Sequence, residues 1–479
     1  MRKTKVVATI GPASDSQERL QQLADAGMDV ARQNFSHGTH TDHKKIKQRV
    51  DDLDGSVATM VDTQGPEIRL GQVRDDTELD EDDEVQLVPG GDFEGNQDRL
   101  PVPYEDLLDY LQPGDTVLID DGNVELEVDS IDDVAHCTVI YGGLVSTKKS
   151  VNVPGKDLGL RAPTDKDLKD IRFGAEHDFD FLSVSFVKYA EDLERIQEIL
   201  DEKDSQMDII AKIEHKKAVD NFDEILDIAD GIMVARGDLG VETPASEVPM
   251  LQKKIIKQCN QAGKPVITAT QMLKTMTKSP QASRAEVSDV ANAVIDGTDA
   301  VMLSEETAVG DYPVKSLAFM AEVVSKVEES LSDQVHHTVK ERSRDIEDII
   351  CKNIWQASRE TDARYIIAHT SSGYTAGHIA KFRPGTDIIA LTDSKKVERQ
   401  LNLVWGVKAL YTEFPDSVDE MIAGSASFLK ERDLVDDSDI LILSAGVPTS
   451  VSGTTNMMEI RTVKSLLQEK EDIDRRKDT

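Results

Sequence analysis

The sequence predicts an α/β fold, a (β/α)8 TIM barrel with an inserted small β-barrel lid domain and a C-terminal open α/β domain. Short runs rich in Ile, Val and Ala, flanked by polar residues, have the pattern of buried parallel strands. Helix-like stretches such as Gln17–Ala26 and Arg284–Ile295 separate most of these runs, and such alternation predicts a parallel sheet with right-handed crossovers. The third run ends at Val61 and the fourth begins only at Asp180, which indicates an insertion.

Eight runs are the expected number for a closed barrel, whose active site lies at the C-terminal ends of its strands. The predicted strands are Lys5–Ile10, Asp29–Gln33, Val57–Val61, Asp180–Ser185, Asp208–Ile213, Gly231–Ala235, Pro265–Ala269 and Ala300–Leu303. The polar residues at or just beyond their ends are Arg32, Asn34, Ser36, Asp62, Thr63, Lys212, Glu214, Asp238, Thr270 and either Glu305 or Glu306. One fold rule therefore brings these residues to one mouth.

Two triplets at this mouth carry the strongest chemical signal. Lys212-Ile213-Glu214 and Arg236-Gly237-Asp238 each follow a buried run. Two carboxylates beside a lysine suit a hard cation such as Mg²⁺ acting on an anionic substrate. Salt bridges at strand ends are the alternative for either triplet alone, but they do not explain why so many polar residues converge.

Composition limits the remaining possibilities. A chain of 479 residues is too long for one core, so two or three domains are expected. The net charge of −36 argues against nucleic acid or an anionic membrane as a partner. The three cysteines form no paired motif, and the N-terminus resembles no signal peptide, so we expect a cytoplasmic protein.

The insertion differs in character from the barrel. Alternating runs such as Glu84–Val88, Thr116–Ile119 and Val124–Val128, with turn signals between them, predict an antiparallel β domain over residues 71–162. The barrel then comprises residues 1–70 and 163–335. The inserted domain is placed to act as a lid over the mouth. Asp120 and Asp121 are interpreted as an acidic turn, with a metal or substrate role as the alternative.

Residues 345–479 predict a third domain, an open α/β unit. Its first strand leads into a Ser/Thr-rich loop and then a helix, a geometry in which hydroxyl and N–H groups can bind an anion. The candidate effector-phosphate residues of this loop are Thr370, Ser371, Ser372, Gly373 and Thr375. An ordinary helix cap explains the same residues equally well.

Ordered motifs along the whole chain resemble those of the pyruvate kinase family. The motifs are Ile10-Gly11-Pro12-Ala13-Ser14, Ala31-Arg32-Gln33-Asn34-Phe35-Ser36-His37-Gly38, Asp62-Thr63-Gln64-Gly65-Pro66-Glu67-Ile68-Arg69, Ala211-Lys212-Ile213-Glu214, Met233-Val234-Ala235-Arg236-Gly237-Asp238-Leu239-Gly240, Ala269-Thr270-Gln271-Met272 and Ser283-Arg284-Ala285-Glu286. The resemblance implies phosphoryl transfer from phosphoenolpyruvate to ADP, giving ATP and pyruvate, in a homotetramer.

The resemblance also implies a role for each matching residue. Arg32, Lys212 and Thr270 would be catalytic, and the same three with Gly237 and Asp238 would bind substrate. Glu214 and Asp238 would hold Mg²⁺ or Mn²⁺, whereas Asn34, Ser36, Asp62 and Thr63 would hold K⁺. The implied nucleotide contacts are Asn34, Phe35, Ser36, His37 and Arg69.

Some positions depart from the family pattern. Gln64 replaces a common Lys near the cation site, whereas Glu67 agrees with potassium-dependent members, so these two signals conflict. Tyr189 stands where some members place a basic nucleotide contact. Residues 445–456 lack the basic residues that bind fructose 1,6-bisphosphate in some relatives, so we expect a monophosphate effector such as AMP instead. Arg236 is interpreted as orienting Glu214 or Asp238, with direct substrate contact as the alternative.

Two other functions are compatible with part of this sequence pattern. A Mg²⁺-dependent aldolase or lyase has a similar barrel and acidic pair, but it lacks the lid and the C-terminal domain. A non-catalytic metabolite sensor would not need Lys212, Glu214, Asp238 and Thr270 together.

The acidic composition supports a separate hypothesis about environment. The chain carries 55 basic and 91 acidic residues, and its aromatic share is only 4%. High net charge destabilises a compact state, and about molar salt screens the repulsion. We therefore expect an acidic, haloarchaeal-like, halophilic enzyme, with an ordinary acidic enzyme as the alternative.

Overall fold

The computed structural model describes residues 1–75, 77–331, 345–415, 417–446 and 455–477. Within these ranges, eight parallel strands close into a barrel in which the last strand pairs with the first. The barrel strands are Lys5–Ile10, Val30–Asn34, Ala58–Asp62, Phe181–Val184, Asp208–Ile213, Gly231–Ala235, Val266–Ala269 and Ala300–Leu303.

Burial explains why these runs form strands. Almost every strand residue is buried, because apolar side chains fill the barrel interior on one face and pack against helices on the other. Val7, Met60, Phe181 and Met233 belong to the interior cluster. Continuous apolar runs are the pattern of parallel strands that are covered on both faces.

Several helices around the barrel begin at side-chain caps. Ser283, for example, forms a reciprocal capping box with Glu286, which fixes the start of the helix after the seventh strand. The helices and 3-10 turns of this unit are Gln17–Asp25, His40–Asp51, Asp165–Glu176, Ala190–Glu202, Lys216–Asp220, Phe222–Ile228, Arg236–Glu242, Val248–Ala262, Lys274–Thr277, Arg284–Asp296, Glu305–Ala308 and Pro313–Ser330.

The insertion folds around its own apolar core, which includes Leu87, Leu100, Val117 and Leu126. Alternating burial along Val124–Ile131 gives that strand one core face and one exposed face. Its elements are strands Thr77–Leu79, Glu84–Pro89, Arg99–Val102, Thr116–Ile119, Val124–Ile131, Ala135–Tyr141, Gly143–Val145 and Val151–Asn152, with the short helix Leu107–Tyr110.

The C-terminal unit has a five-stranded sheet among the described residues, with an antiparallel strand, Met457–Thr462, at one edge. Its other strands are Ala363–His369, Ile388–Thr392, Val407–Tyr411 and Ile440–Ala445. Its helices and 3-10 turn are Ile346–Glu360, Tyr374–Ala380, Lys395–Gln400, Leu401–Leu403, Val418–Lys430 and Val463–Lys477.

Ion pairs join this unit to the barrel end opposite the mouth. Arg399 Nε lies 2.8 Å from Asp180 Oδ1, and Arg383 Nη1 lies 2.9 Å from Asp299 Oδ1. Asp180 directly precedes the fourth barrel strand and Asp299 the eighth, so the contacts reach the N-terminal ends of the strands.

The predicted (β/α)8 barrel with an inserted β domain and a C-terminal α/β domain is confirmed, and the predicted barrel strands deviate by one residue at some of their ends. The described strands of the insertion form a six-stranded and a two-stranded sheet rather than a closed barrel, and Glu84–Pro89 pairs with Arg99–Val102 in parallel. The sequence pattern did not predict the edge strand Met457–Thr462 or the helices Lys395–Gln400, Val418–Lys430 and Val463–Lys477. The sequence predicted that residues 445–456 lack basic residues for binding a bisphosphate. Most of this segment, residues 447–454, lies outside the described residues. Among the described residues, helices are too short or too polar to cross a bilayer.

Candidate active site

Lys212 lies at the centre of the charged residues at the barrel mouth. Its Nζ is 2.8 Å from Glu214 Oε1 and 3.4 Å from Asp62 Oδ1, and it donates a hydrogen bond of 2.7 Å to Ser185 Oγ. These residues come from the ends of the third, fourth and fifth strands. Barrel closure therefore brings them together, as the sequence predicted for Asp62, Lys212 and Glu214.

Arg32 extends this cluster to the first and second strands. Its Nη1 donates to Thr9 Oγ1 at 2.7 Å and its Nε to Asp62 Oδ2 at 3.1 Å, and Nη2 also pairs with Asp62. Only 7% of Arg32 is exposed. Asp62 thus holds two cations, Arg32 and Lys212, in fixed positions.

Burial and charge shift the pKa values of this cluster in opposite directions. Burial works against the charged forms of Asp62 and Lys212. Arg32 and Lys212 nevertheless hold the pKa of Asp62 below its ordinary value. In the same way, Asp62 and Glu214 raise the pKa of Lys212 above its ordinary value. Lys212 is therefore a fixed positive charge near neutral pH.

The pKa values of the two predicted Mg²⁺ ligands shift in the opposite direction to that of Asp62. Burial raises the pKa of Glu214 to about 7, although Lys212 opposes the shift, and burial also raises the pKa of Asp238. A divalent cation would stabilise the charged form of both groups. Glu214 Oε2 accepts a hydrogen bond of 2.6 Å from the Phe186 N–H. Asp238 lies in the first turn of the helix Arg236–Glu242 and is partly exposed.

A two-carboxylate site fits Mg²⁺, which is commonly bound through one or two carboxylates together with water and substrate oxygens. The described residues contain no group of three or more His, Cys, Asp or Glu side chains arranged around a common metal position. Glu214 and Asp238 could bind such an ion if substrate oxygens complete its coordination.

Thr270 has a strained backbone. Its φ of 64° and that of Gln271, 57°, lie in the left-handed region, which a β-branched residue rarely adopts. Thr270 Oγ1 accepts a hydrogen bond of 2.8 Å from the Gly237 N–H. The strain therefore aims the hydroxyl at the segment that carries Asp238.

Arg236 maintains this conformation. It donates from Nη2 to the Thr270 carbonyl at 2.8 Å and from Nε to the Ala269 carbonyl at 3.2 Å, and Nη1 bonds Asp289 Oδ1 at 2.7 Å. Arg236 therefore has the expected structural role, but its hydrogen bonds hold the end of the seventh strand and reach Asp238 only through Thr270 and Gly237, with no bond to Glu214. It follows Ala235 directly into a helix, which turns its side chain towards the seventh strand.

The four predicted K⁺ ligands lie on two adjacent strand ends. Asn34 Oδ1 accepts from the Ser36 N–H at 3.0 Å, and Thr63 Oγ1 accepts from the Ser185 N–H at 3.1 Å. Asp62 Oδ1 is buried and receives no hydrogen bond from any residue that the structure describes.

Three of the predicted nucleotide contacts have distinct environments. The Phe35 ring is buried and stacks on His43 at 3.8 Å, so its side chain serves the core. His37 is exposed. Arg69 Nε donates to Glu67 Oε2 at 2.7 Å and its Nη1 to the Lys148 carbonyl at 2.8 Å, which ties it to the lid.

A cavity of about 310 Å³ lies between the barrel mouth and the lid. Asp238, Arg69 and Phe186 line it from the barrel, and Asp120 and Asp121 line it from the lid. Asp120 also pairs with Lys149 at 2.7 Å. The acidic turn thus faces the cleft, and the ion pair of Asp120 with Lys149 also gives it a structural role.

The effector candidates belong to the separate C-terminal sheet and do not join this cluster. Ser371 and Ser372 are exposed, whereas Thr370 and Thr375 are buried. Gly373 is the N-cap of the helix Tyr374–Ala380, with no side-chain cap hydrogen bond among the described residues. The serine and threonine hydroxyls therefore do not cap this helix.

Sequence reasoning missed Ser185, which bonds Lys212, and Thr9, which bonds Arg32. Both stand at or near strand ends, so the rule that found Lys212 could have found them. Lys149 and Lys156 line the cleft from the lid and do not stand at the end of a barrel strand. Their positions depend on the fold of the insertion, so the strand-end rule could not identify them. Glu306 at the eighth strand ties loops together by accepting the Leu273 N–H at 3.1 Å and the Ser304 N–H at 2.7 Å.

Comparison with known proteins covers nearly the whole chain. Residues 1–317 match the family described as "Pyruvate kinase, barrel domain", and residues 348–461 match "Pyruvate kinase, alpha/beta domain". Pyruvate kinases of Staphylococcus aureus strains MRSA252 and USA300 are each 44% identical over 477 residues, spanning 97% of this chain and 81% of the relative. A crystal structure of a pyruvate kinase from Cryptosporidium parvum aligns with a TM-score of 0.90 at 36% identity, covering 96% of both chains.

Proposed function

Because the chain belongs to the pyruvate kinase family, we propose that its barrel mouth carries out the family's reaction through Lys212, Arg32 and Thr270. The chain is a phosphotransferase: the phosphoryl group of phosphoenolpyruvate passes to ADP, which gives ATP and pyruvate. The observation that carries the residue assignment is the buried Lys212 ammonium, held by two carboxylates at the mouth.

Lys212 acts where negative charge develops during the reaction. Positive charge that is already in place stabilises the phosphoryl group in transit and the enolate oxygen without reorganisation. Ser185, Asp62 and Glu214 fix the ammonium group, so little entropy is lost when substrate binds. Its raised pKa keeps it charged throughout.

Glu214 and Asp238 are the proposed ligands of Mg²⁺ or Mn²⁺. When bound, the ion would polarise substrate oxygens and offset their charge. Their burial and raised pKa values fit this role, since two such carboxylates are poorly stable as a bare charged pair. Phe186 orients Glu214 through its N–H, a supporting contact of the kind that metal ligands commonly have.

Arg32 and Thr270 are proposed to position the substrate. Arg32 presents a planar guanidinium suited to phosphate oxygens, and its partner Asp62 holds it in place. Thr270 either orients the substrate carboxylate or takes part in protonating the enolate. Gly237, whose N–H bonds Thr270 Oγ1, is proposed to place the backbone segment that supports the substrate carboxylate beside Asp238.

K⁺ is the proposed ion at Asn34, Ser36, Asp62 and Thr63. The buried Asp62 Oδ1 lies 3.4 Å from the Lys212 ammonium but receives no hydrogen bond from the described residues, and it supports this assignment because a more closely bound cation would satisfy it. The ion would supply a fixed positive charge beside the phosphate clamp. Asn34, Ser36, His37 and Arg69, with the Phe35 backbone, remain the proposed nucleotide contacts.

The reaction is tested with the wild-type chain in an assay coupled to pyruvate. We expect pyruvate and ATP in equal amounts from phosphoenolpyruvate and ADP, in the presence of Mg²⁺ or Mn²⁺ and not with EDTA. Pyruvate formed at an undiminished rate with EDTA would exclude the proposed metal site. An aldolase or lyase would release pyruvate without ATP, and a sensor would release none.

The proposed organisation is a cytoplasmic homotetramer whose barrel comprises residues 1–70 and 163–335, with a lid at 71–162 and a regulatory domain at 345–479. Exposed apolar side chains support self-association: Ile346 and Ile349 lie on one helix and Ile460 on the neighbouring edge strand. Sedimentation in molar salt tests this, and a monomer at micromolar concentration would refute it.

A monophosphate effector is proposed to bind the loop Thr370–Thr375. The exposed hydroxyls of Ser371 and Ser372, which do not cap the following helix, support it. Activation by AMP or a sugar monophosphate should disappear in Ser372→Asp, whose charge repels phosphate. Activation that survives this change would place the effector elsewhere.

A halophilic, haloarchaeal-like character is the last part of the proposal. The acidic patches at Asp80–Glu84 and Asp436-Asp437 are exposed, as is Asp75, whereas Asp76 lies outside the described residues. Screening of these charges would require about molar salt.

A further inference from the structure

The segment that leads from the lid back to the barrel is held by side chains that follow the fourth, fifth and sixth barrel strands. We name this set of contacts the lid clasp. On the lid side it comprises Asn152, Lys156 and Asp157, and on the barrel side Lys188, Tyr189, His215 and Glu242.

Glu242 makes the first contact. It is the last residue of the helix that follows the sixth strand, and only 7% of it is exposed. Its Oε1 accepts a hydrogen bond of 3.0 Å from Asn152 Nδ2, at the end of the last lid strand. A buried carboxylate that bonds an amide across two domains fixes their separation at that point.

His215 makes the second contact. Its Nδ1 accepts a hydrogen bond of 2.9 Å from the Lys217 N–H, so the ring proton of the neutral form is on Nε2. That Nε2 lies 3.2 Å from the Lys156 carbonyl and 3.5 Å from Glu242 Oε2. The imidazole therefore bonds the lid segment and packs beside Glu242, whose Oε2 receives no hydrogen bond from the described residues.

Lys188 and Tyr189 make the third contact. Lys188 Nζ donates to Asp157 Oδ1 at 2.7 Å, and the Tyr189 hydroxyl donates to Asp157 Oδ2 at 2.7 Å. Lys188 is buried, so this ion pair is poorly screened. Tyr189, a departure from the family pattern, thus has a role in the clasp.

The barrel side of the clasp shares its backbone with the proposed metal ligands. His215 directly follows Glu214, and Glu242 lies one helical turn after Asp238. The geometry points to His215 and Glu242 as positioning residues that couple occupation of the metal and nucleotide sites to the placement of the lid.

The kinetic consequence depends on the fraction of molecules in which the lid is correctly placed. A nucleotide that binds beneath the lid experiences an affinity reduced by the fraction of molecules whose lid is correctly placed. Releasing the clasp lowers that fraction, so the KM for ADP rises while kcat of the closed complex changes little. The kinetic effect rests on the proposed function, whereas the lid position does not.

Asn152→Asp tests the clasp, because it places a second carboxylate against Glu242. We expect a rise of about tenfold in the KM for ADP, the factor that corresponds to about 1.4 kcal/mol, with kcat changed less than twofold. The double variant Asn152→Asp/Glu242→Gln exchanges the amide and the carboxylate. It restores the hydrogen bond and should return the KM to within about twofold of the wild type. Asn96→Asp, in a lid turn away from the clasp, is the matched control and should leave the KM unchanged.

Lid position is measured independently of activity by energy transfer between two labels. Asp133→Cys on an exposed lid turn and Glu224→Cys on an exposed barrel helix supply the labelling sites. The native Cys137, Cys259 and Cys351 are buried, and burial raises the pKa of each thiol, which slows their labelling.

We expect Asn152→Asp to broaden and lengthen the distance distribution and the double variant to restore it. An unchanged distribution in Asn152→Asp, or a double variant no closer to the wild type than the single one, would overturn the inference. A restored distribution without a restored KM would uphold the clasp and would contradict the proposed catalytic assignment instead.

Discussion

At the residue scale, the site depends on how charge is arranged around Asp62. This buried carboxylate bonds Arg32 through one oxygen, while its other oxygen lies 3.4 Å from Lys212 and receives no hydrogen bond from the described residues. Removing one partner from such a buried group is costly, because the remaining charge stays uncompensated. Asp62 thus links Arg32, the proposed phosphate-binding residue, with Lys212, the proposed catalytic lysine, and with the proposed K⁺ site.

Potassium dependence is the prediction that belongs to this residue. Asp62 and Glu67 add negative charge that a monovalent cation would offset, so K⁺ should raise the turnover. The rate is measured while KCl is titrated against tetramethylammonium chloride at constant ionic strength. Equal rates in both salts would mean that the reaction does not need K⁺. Gln64, which departs from the family pattern, would then have indicated the cation dependence correctly and Glu67 would not.

At the element scale, the loop after the seventh strand stores backbone strain at the mouth. Thr270 and Gln271 adopt left-handed conformations, each at a cost of about 1–3 kcal/mol. Arg236 holds the loop by bonding the Ala269 and Thr270 carbonyls. The helix that begins at Arg236 therefore positions Asp238 and Thr270 together.

Arg236→Met should release this loop. Thr270 can then relax and lose its hydrogen bond from Gly237, so we expect kcat to fall by roughly tenfold to a hundredfold, as about 1–3 kcal/mol of lost positioning implies. Steady-state rates are compared with those of Arg172→Met, which changes an exposed arginine of a barrel helix. A kcat within twofold of the wild type would contradict the positioning role.

The sequence predicted residues at the ends of strands better than contacts between elements. Parallel strands end at one mouth by geometry, so Lys212, Glu214 and Asp62 could be placed together before the structure was known. The direction of Arg236 could not, because the turn into its helix decides which neighbour it reaches. Nor could the lid clasp, since Asn152 and Glu242 are distant in sequence and meet only when the inserted domain docks.

At the scale of the whole molecule, the charge of −36 dominates. Exposed acidic patches on the lid and the C-terminal unit repel each other across the surface at low salt, where the Debye length is about 30 Å at 0.01 M. The barrel is joined to the C-terminal unit by ion pairs such as Arg399 with Asp180. Cohesion between the domains thus acts against the net repulsion.

Salt should therefore stabilise the folded chain. We expect the unfolding midpoint, followed by circular dichroism, to rise steadily between about 0.05 and 2 M KCl and equally in NaCl, because screening does not depend on the cation. A midpoint that stays flat over this range would identify an ordinary acidic enzyme and refute the halophilic hypothesis.

The proposed mechanism depends above all on the positive charge of Lys212, which Lys212→Met removes. Methionine keeps the length of the side chain and removes the charge that stabilises the transferring phosphoryl group. We predict a fall in kcat of at least about a hundredfold, the scale of other lost electrostatic stabilisers. Lys216→Met, on the following helix, should keep wild-type turnover. A Lys212→Met enzyme that retained more than about a tenth of the wild-type kcat would contradict the account.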